Sequence, residues 1–137
     1  MTESDDTKDL RLVIVDDHEF AREAVAAMLD AEPGITIVGQ AGNVYQARAV
    51  ITDVEPDVAV LDLNMPDGSG REIVEHFATA LPELRCIIFT SSVQQAEVEE
   101  LREAGAEAVV LKSLLSTDLV DAIRRVKTQD PGANSSD

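Results

Sequence analysis

Five polar residues each follow directly on a short apolar run. Asp16 and Asp17 end "LRLVIV", Asp62 ends "VAVL", Thr90 ends "CIIF" and Lys112 ends "AVVL". Any one of them has an ordinary explanation, since an Asp pair before a helix caps it and a Thr after a strand caps a turn. Three carboxylates, a hydroxyl and an ammonium gathered on one edge would have a different meaning. Two carboxylates about 4 Å apart repel by about 4 kcal/mol at an effective dielectric near 20. A cluster of that kind calls for a hard divalent cation with oxygen ligands, and Mg²⁺ fits best because it needs few protein oxygens and works with phosphate. Thr90 and Lys112 then suit phosphoryl oxygens. Asp62 is the candidate nucleophile, forming an acyl phosphate by in-line phosphoryl transfer. Behind it, "NMPDGSG" contains Pro66, Gly68 and Gly70, a tight loop able to turn a backbone carbonyl toward a metal.

The elements that must position these residues are legible as an alternation. Val- and Ile-rich runs at Leu10–Val15, Ile35–Val38, Val58–Leu61, Arg85–Phe89 and Ala108–Leu111 have the look of buried parallel strands. Helical spacing lies between them, with stripes at Phe20, Ala24, Ala27 and Met28 and at Leu119, Ala122, Ile123 and Val126. Ser69 with Glu72 and Ser92 with Gln95 fit capping boxes. Gly105 suits the end of a helix over 93–104, and Pro56 closes one that starts near Asn43. Strict alternation predicts a doubly wound α/β sandwich, flavodoxin-like (βα)5, with a parallel five-stranded sheet of order 2-1-3-4-5. Ligand chemistry then belongs at the crevice where strands 1 and 3 part, at their carboxyl ends.

Composition narrows the partners. The 137 residues suit one domain, and 27 Asp plus Glu against 11 Lys plus Arg give a formal charge of -16. That field repels phosphate backbones and anionic lipids, arguing against direct nucleic-acid or membrane binding by this segment. The single cysteine, Cys86, reads as strand interior. "MTESDDTKD" lacks the pattern of a secretory signal and no apolar run reaches membrane-spanning length, so a cytoplasmic location is expected. Residues 1–9 read as a disordered N-terminal segment, 10–127 as the domain, and 128–137, "TQDPGANSSD", as a flexible linker or tail.

Together "VDDHEFARE", "AVLDLNMPDGSG", "IIFTSS" and "GAEAVVLK" resemble the receiver domain of bacterial two-component response regulators, over about residues 10–127. The "DDH" start and the "LRCIIFTSS" strand are similar to the NarL/FixJ subfamily, whose members usually carry a C-terminal LuxR-type helix-turn-helix. The resemblance implies that Asp62 accepts a phosphoryl group from a histidine kinase. It implies that Asp17 and Asp62 ligate Mg²⁺ directly, that Asp16 acts largely through water, and that Asn64 lends its backbone carbonyl. Thr90 and Lys112 would bind the phosphoryl oxygens and pass the signal to the face of helix 4, strand 5 and helix 5. Control of transcription through a C-terminal DNA-binding domain, and homodimerisation on phosphorylation, follow as expectations.

Two positions depart from that pattern. The aromatic usual three residues before the lysine is Val109, and the frequent cis-proline after it is Ser113. Both bear on how the signal spreads, and neither removes a phosphorylation residue. Two other readings stay open: a receiver-fold interaction module that is independent of phosphorylation, or a stand-alone receiver. An Mg²⁺-dependent phosphatase is disfavoured because position 64 is Asn rather than a second acid and no substrate cap is inserted. His18 reads as a first-turn helix residue, and nothing places His76 near the crevice.

Overall fold

The computed structural model describes residues 9–112 and 117–128. The expectations for segments 1–9 and 128–137, beyond Asp9 and Thr128 at their edges, and for Ser113 lie outside these residues. Five sheet strands alternate with five helices: β1 Leu10–Val15, α1 Glu19–Asp30, β2 Ile35–Ala41, α2 Val44–Val54, β3 Val58–Leu61, α3 Gly70–Ala80, β4 Arg85–Thr90, α4 Gln95–Ala104, β5 Ala108–Leu111 and α5 Thr117–Thr128. All neighbours in the sheet are parallel, in the spatial order β2-β1-β3-β4-β5. A small antiparallel hairpin, Asn64–Met65 with Gly68–Ser69, forms a second sheet that the sequence does not announce. Counted along the chain with those two short strands included, the order becomes 2-1-3-6-7. The expected 2-1-3-4-5 therefore holds only for the strands of the main sheet.

Side-chain alternation along each strand divides the core into two layers. Val13, Val15, Ala59, Leu61, Cys86 and Ile88 face α2, α3 and α4, meeting Ile51, Ile73, Phe77 and Leu101. Leu12, Ile14, Val58, Val60, Ile87 and Phe89 face the other way, onto Leu29 of α1 and Leu119, Ala122, Ile123 and Val126 of α5. The α5 stripe is thus buried as expected. The α1 stripe is packed only at Met28: Phe20 is 90% exposed, Ala24 and Ala27 are also exposed, and Val25, Ala26 and Leu29 join Met28 in the packed face. This helix is rich in alanine, so its two faces compete. The larger aliphatic side chains prevail because they bury more apolar surface against the sheet.

Helix ends follow local chemistry with two corrections. Asn43 caps α2 through Gln46 N–H at 2.7 Å, and Ser69 caps α3, although by accepting from Arg71 N–H rather than from Glu72. Gly105 ends α4 at φ 125°, a value L side chains rarely adopt. The start of α4 differs from expectation: Gln94 is its N-cap and makes no side-chain capping bond, so Ser92 stays in the preceding loop. There its backbone carbonyl accepts from the Thr90 hydroxyl at 3.3 Å.

Candidate functional site

Parallel register carries the five sequence-selected residues to one sheet edge. Val15 pairs with Leu61, so the next residues, Asp16 and Asp62, emerge side by side from β1 and β3. Their own amides continue the ladders, Asp16 N–H to Ala41 O at 3.0 Å and Asp62 N–H to Val15 O at 2.9 Å. On the other flank Thr90 pairs with Leu111, and Lys112 N–H donates to Thr90 O at 2.7 Å. This is the crevice between β1 and β3, where the connections leave to opposite faces of the sheet.

The polar atoms there are buried. Asp16, Asp62 and Thr90 are 3%, 8% and 0% exposed, the only polar or charged residues among the buried ones described. Lys112 Nζ donates to Asp16 Oδ2 at 2.6 Å and lies 3.5 Å from Asp62 Oδ2. Its ammonium also sits 5.8 Å from the centre of the Phe89 ring, which helps to fix its path. Asp16 Oδ1 accepts from His18 N–H at 2.9 Å, so both oxygens of this carboxylate are engaged. Asp17 is more open, and Asp62 points into the same space. Burial holds the Asp62 carboxyl above its ordinary value. Lys112 opposes that shift, Asp16 adds to it, and hydrogen bonds with the Leu63 and Asn64 backbone oppose it further.

One lysine faces three carboxylates, so negative charge remains in excess. Ligand atoms of Asp16, Asp17, His18 and Asp62 all lie within 4.8 Å of one another, a span that one divalent cation with oxygen ligands suits. His18 enters this group although the sequence favours a first-turn helical role. It is the N-cap of α1, makes no side-chain capping bond, and its Nδ1 lies 3.3 Å from Asp17 Oδ1. His76 lies on α3, edge-on to Phe77 at 4.7 Å, away from this cluster. Val109 sits on the edge strand β5 in register with Ile88, half-buried against the α2–α4 layer. Cys86 is buried mid-strand, and burial pushes its thiol up to about 12, which fits core filling.

Two residues that support the site have no sequence signal of their own. Arg22, on α1, donates from Nη1 to the Asp16 backbone carbonyl at 2.8 Å and so braces the acidic corner. Asp67, in the hairpin turn, accepts from the Val44 and Tyr45 amides at 2.8 and 3.1 Å. A helical Arg and a Pro-Asp-Gly turn are both common locally. Their partners lie on other elements, which periodicity does not reveal. Gly70, at the start of α3, is needed because a Cβ there would stand 2.3 Å from the Asp62 carbonyl oxygen.

Residues 12–124 match the model of the response regulator receiver domain family. The chain belongs to that family. This receiver domain is 37% identical over 117 residues to the DNA-binding transcriptional activator DevR/DosR of Mycobacterium tuberculosis, covering 85% of this chain and 54% of the relative. Identity to the transcriptional regulatory protein LiaR of Bacillus subtilis is 31% over 126 residues, 92% of this chain and 60% of that protein. It therefore spans about half the length of the curated relatives it matches. Among solved structures it resembles a LuxR-family response regulator from Aurantimonas, with a TM-score of 0.84 at 29% identity, covering 93% of this chain and 94% of that one. The receiver domain of the response regulator NarL from Mycobacterium tuberculosis gives 0.83 at 28%, covering 89% and 99%. These LuxR and NarL relatives agree with the subfamily resemblance in the sequence. No helix among the described residues is long and apolar enough to cross a membrane.

Proposed function

We propose that this receiver domain is a phosphorylation-dependent switch in which Asp62 accepts a phosphoryl group from a histidine kinase. The observation that carries the reading is the buried Asp16–Asp62–Lys112 constellation beside Asp17, at the crevice of a chain that belongs to the receiver family. An Asp62 carboxylate oxygen forms the new O–P bond as the P–N bond of the donor phosphohistidine breaks, and the imidazole takes up a proton. Lys112, already 3.5 Å from Asp62, moves its charge toward the phosphoryl oxygens, with the Thr90 hydroxyl beside them. Asp17, Asp62 and the Asn64 backbone carbonyl would hold Mg²⁺ directly. Asp16, both of whose oxygens are already engaged by the His18 amide and Lys112, would act through water. When bound, Mg²⁺ neutralises charge shared by the carboxylates and the phosphoryl oxygens.

The phosphorylated state shifts a two-state equilibrium and alters a protein surface, with homodimerisation as one outcome. Output through a C-terminal DNA-binding domain is supported by the transcriptional regulators among the longer relatives. A cytoplasmic setting goes with that role. The test is label transfer from a phosphorylated kinase histidine to this chain. Label that is lost in alkali, released by hydroxylamine and absent in Asp62→Asn supports an acyl phosphate at Asp62. Label persisting in Asp62→Asn contradicts it.

Val109 favours a second reading, a receiver-fold module independent of phosphorylation, because an aliphatic side chain offers no ring to swing between exposed and buried positions. Equal affinity for a captured partner with and without phosphodonor would support it.

A further inference from the structure

The hairpin that follows the acceptor is tied to a helix from a different part of the chain. Asp67 Oδ1 accepts from Val44 N–H at 2.8 Å and Oδ2 from Tyr45 N–H at 3.1 Å, so one carboxylate takes the first two amides of α2. That helix already has its own cap: Asn43 accepts from Gln46 N–H through its side chain at 2.7 Å and from Ala47 N–H through its carbonyl at 2.9 Å. Asn43 thus serves the Gln46 and Ala47 amides, and Asp67 takes the two that come before them. The hairpin, in contrast, is a pair of two-residue strands, too short to hold its position alone. Its Gly68, at φ 156°, packs closely enough that a Cβ would lie 2.8 Å from Glu72 and 3.1 Å from Val44, so hairpin and helix are in contact as well as hydrogen-bonded. Met65 reaches into the α2–α4 core layer from the opposite strand.

We infer that Asp67 is a positioning residue: by clamping the hairpin to the α2 N-terminus it fixes the direction of the Asn64 backbone carbonyl toward the metal site. The inference rests on the Mg²⁺-dependent acceptor reading and deepens it. Geometry favours the clamp over a simple turn role because both carboxylate oxygens are used, each on a separate amide of a helix start whose dipole attracts negative charge. Residues that orient a ligand without touching the metal commonly matter by 10- to 100-fold in affinity.

The test measures Mg²⁺ binding by calorimetry and, separately, the Mg²⁺ dependence of phosphorylation by a small acyl-phosphate donor. Wild type, Asp67→Ala and Asp67→Asn are compared, the last keeping one acceptor oxygen. The expected result is a Mg²⁺ midpoint raised about 10-fold in Asp67→Ala and partly restored in Asp67→Asn, with the rate at saturating Mg²⁺ unchanged. The same midpoints should appear in calorimetry. An unchanged midpoint in folded Asp67→Ala, or a lower plateau at an unchanged midpoint, overturns the clamp while leaving the acceptor reading intact. Wild-type protein without any Mg²⁺-dependent response overturns the acceptor reading and the clamp with it. Should Asp67→Ala fail to fold, Asp67→Asn decides alone: a wild-type midpoint would contradict the inference.

Discussion

The Lys112 ammonium donates to Asp16 Oδ2 at 2.6 Å, across 96 residues of chain, with the carboxylate side chain only 5% exposed. Lys112 thus rests on the carboxylate beside the acceptor and approaches Asp62 less closely. Replacing Lys112 by Met leaves Asp16 buried without its cation. That should cost about 1–3 kcal/mol of stability. Adding Asp16→Asn to Lys112→Met should recover most of the loss, because the stranded charge is then gone. Denaturant unfolding of the two single variants and the double variant checks this.

Asp62 is held in its protonated form more readily than an ordinary carboxylate, chiefly by burial, with Lys112 opposing and Asp16 adding. A raised carboxyl value favours the fold fully below the unfolded value, and that advantage is lost as pH rises through the folded one. At neutral pH the ionised Asp62 therefore costs the metal-free protein stability. Asp62→Asn should melt at a higher temperature than wild type in chelator, and Mg²⁺ should raise the wild-type melting temperature more than that of the variant. Thermal melts with and without Mg²⁺ read both effects.

Gly70 leaves no room for a methyl group, since its Cβ would stand 2.3 Å from the Asp62 carbonyl oxygen, a backbone atom. Gly70→Ala should destabilise by about 1–3 kcal/mol and slow phosphoryl uptake, because relief requires the acceptor strand or α3 to shift. Urea midpoints and uptake rates measured together test the link. Loss of stability with unaltered uptake would show that the shift spares Asp62.

The Val44 amide, with lesser help from that of Tyr45, holds Asp67 below its ordinary value of 3.8. A lowered carboxyl value contributes stability above the unfolded value, lost as pH falls through the folded one. The stability gap between wild type and Asp67→Ala should be constant near neutral pH and shrink in acid below 3.8. Melting curves of both proteins across that range provide the check. A gap that is independent of pH would mean that the carboxylate charge does not matter.

The strand ends were the legible part. Asp16, Asp62, Thr90 and Lys112 follow from where apolar runs stop, because parallel strands in a doubly wound sheet end on one edge. The face of α1 was less legible, since Phe20, Ala24 and Ala27 make as good a stripe as Val25, Ala26 and Leu29. Only the packed sheet chooses between them. The links through Arg22 and Asp67 were invisible for a related reason. Each joins elements whose approach depends on the finished fold, and neither residue type signals its distant partner. The tight loop at "NMPDGSG" is legible, but its pairing as a hairpin is not, because two-residue strands carry no periodicity.

The central claim is that Asp62 is the phosphoryl acceptor and needs a divalent cation. Intact mass after incubation with Mg²⁺ and a small acyl-phosphate donor tests it most directly, beside Asp62→Asn and chelator controls. One phosphoryl adduct is expected on the wild-type chain and none in either control. An adduct that survives in Asp62→Asn, or folded wild-type protein that takes up no phosphoryl group under any condition, would contradict it.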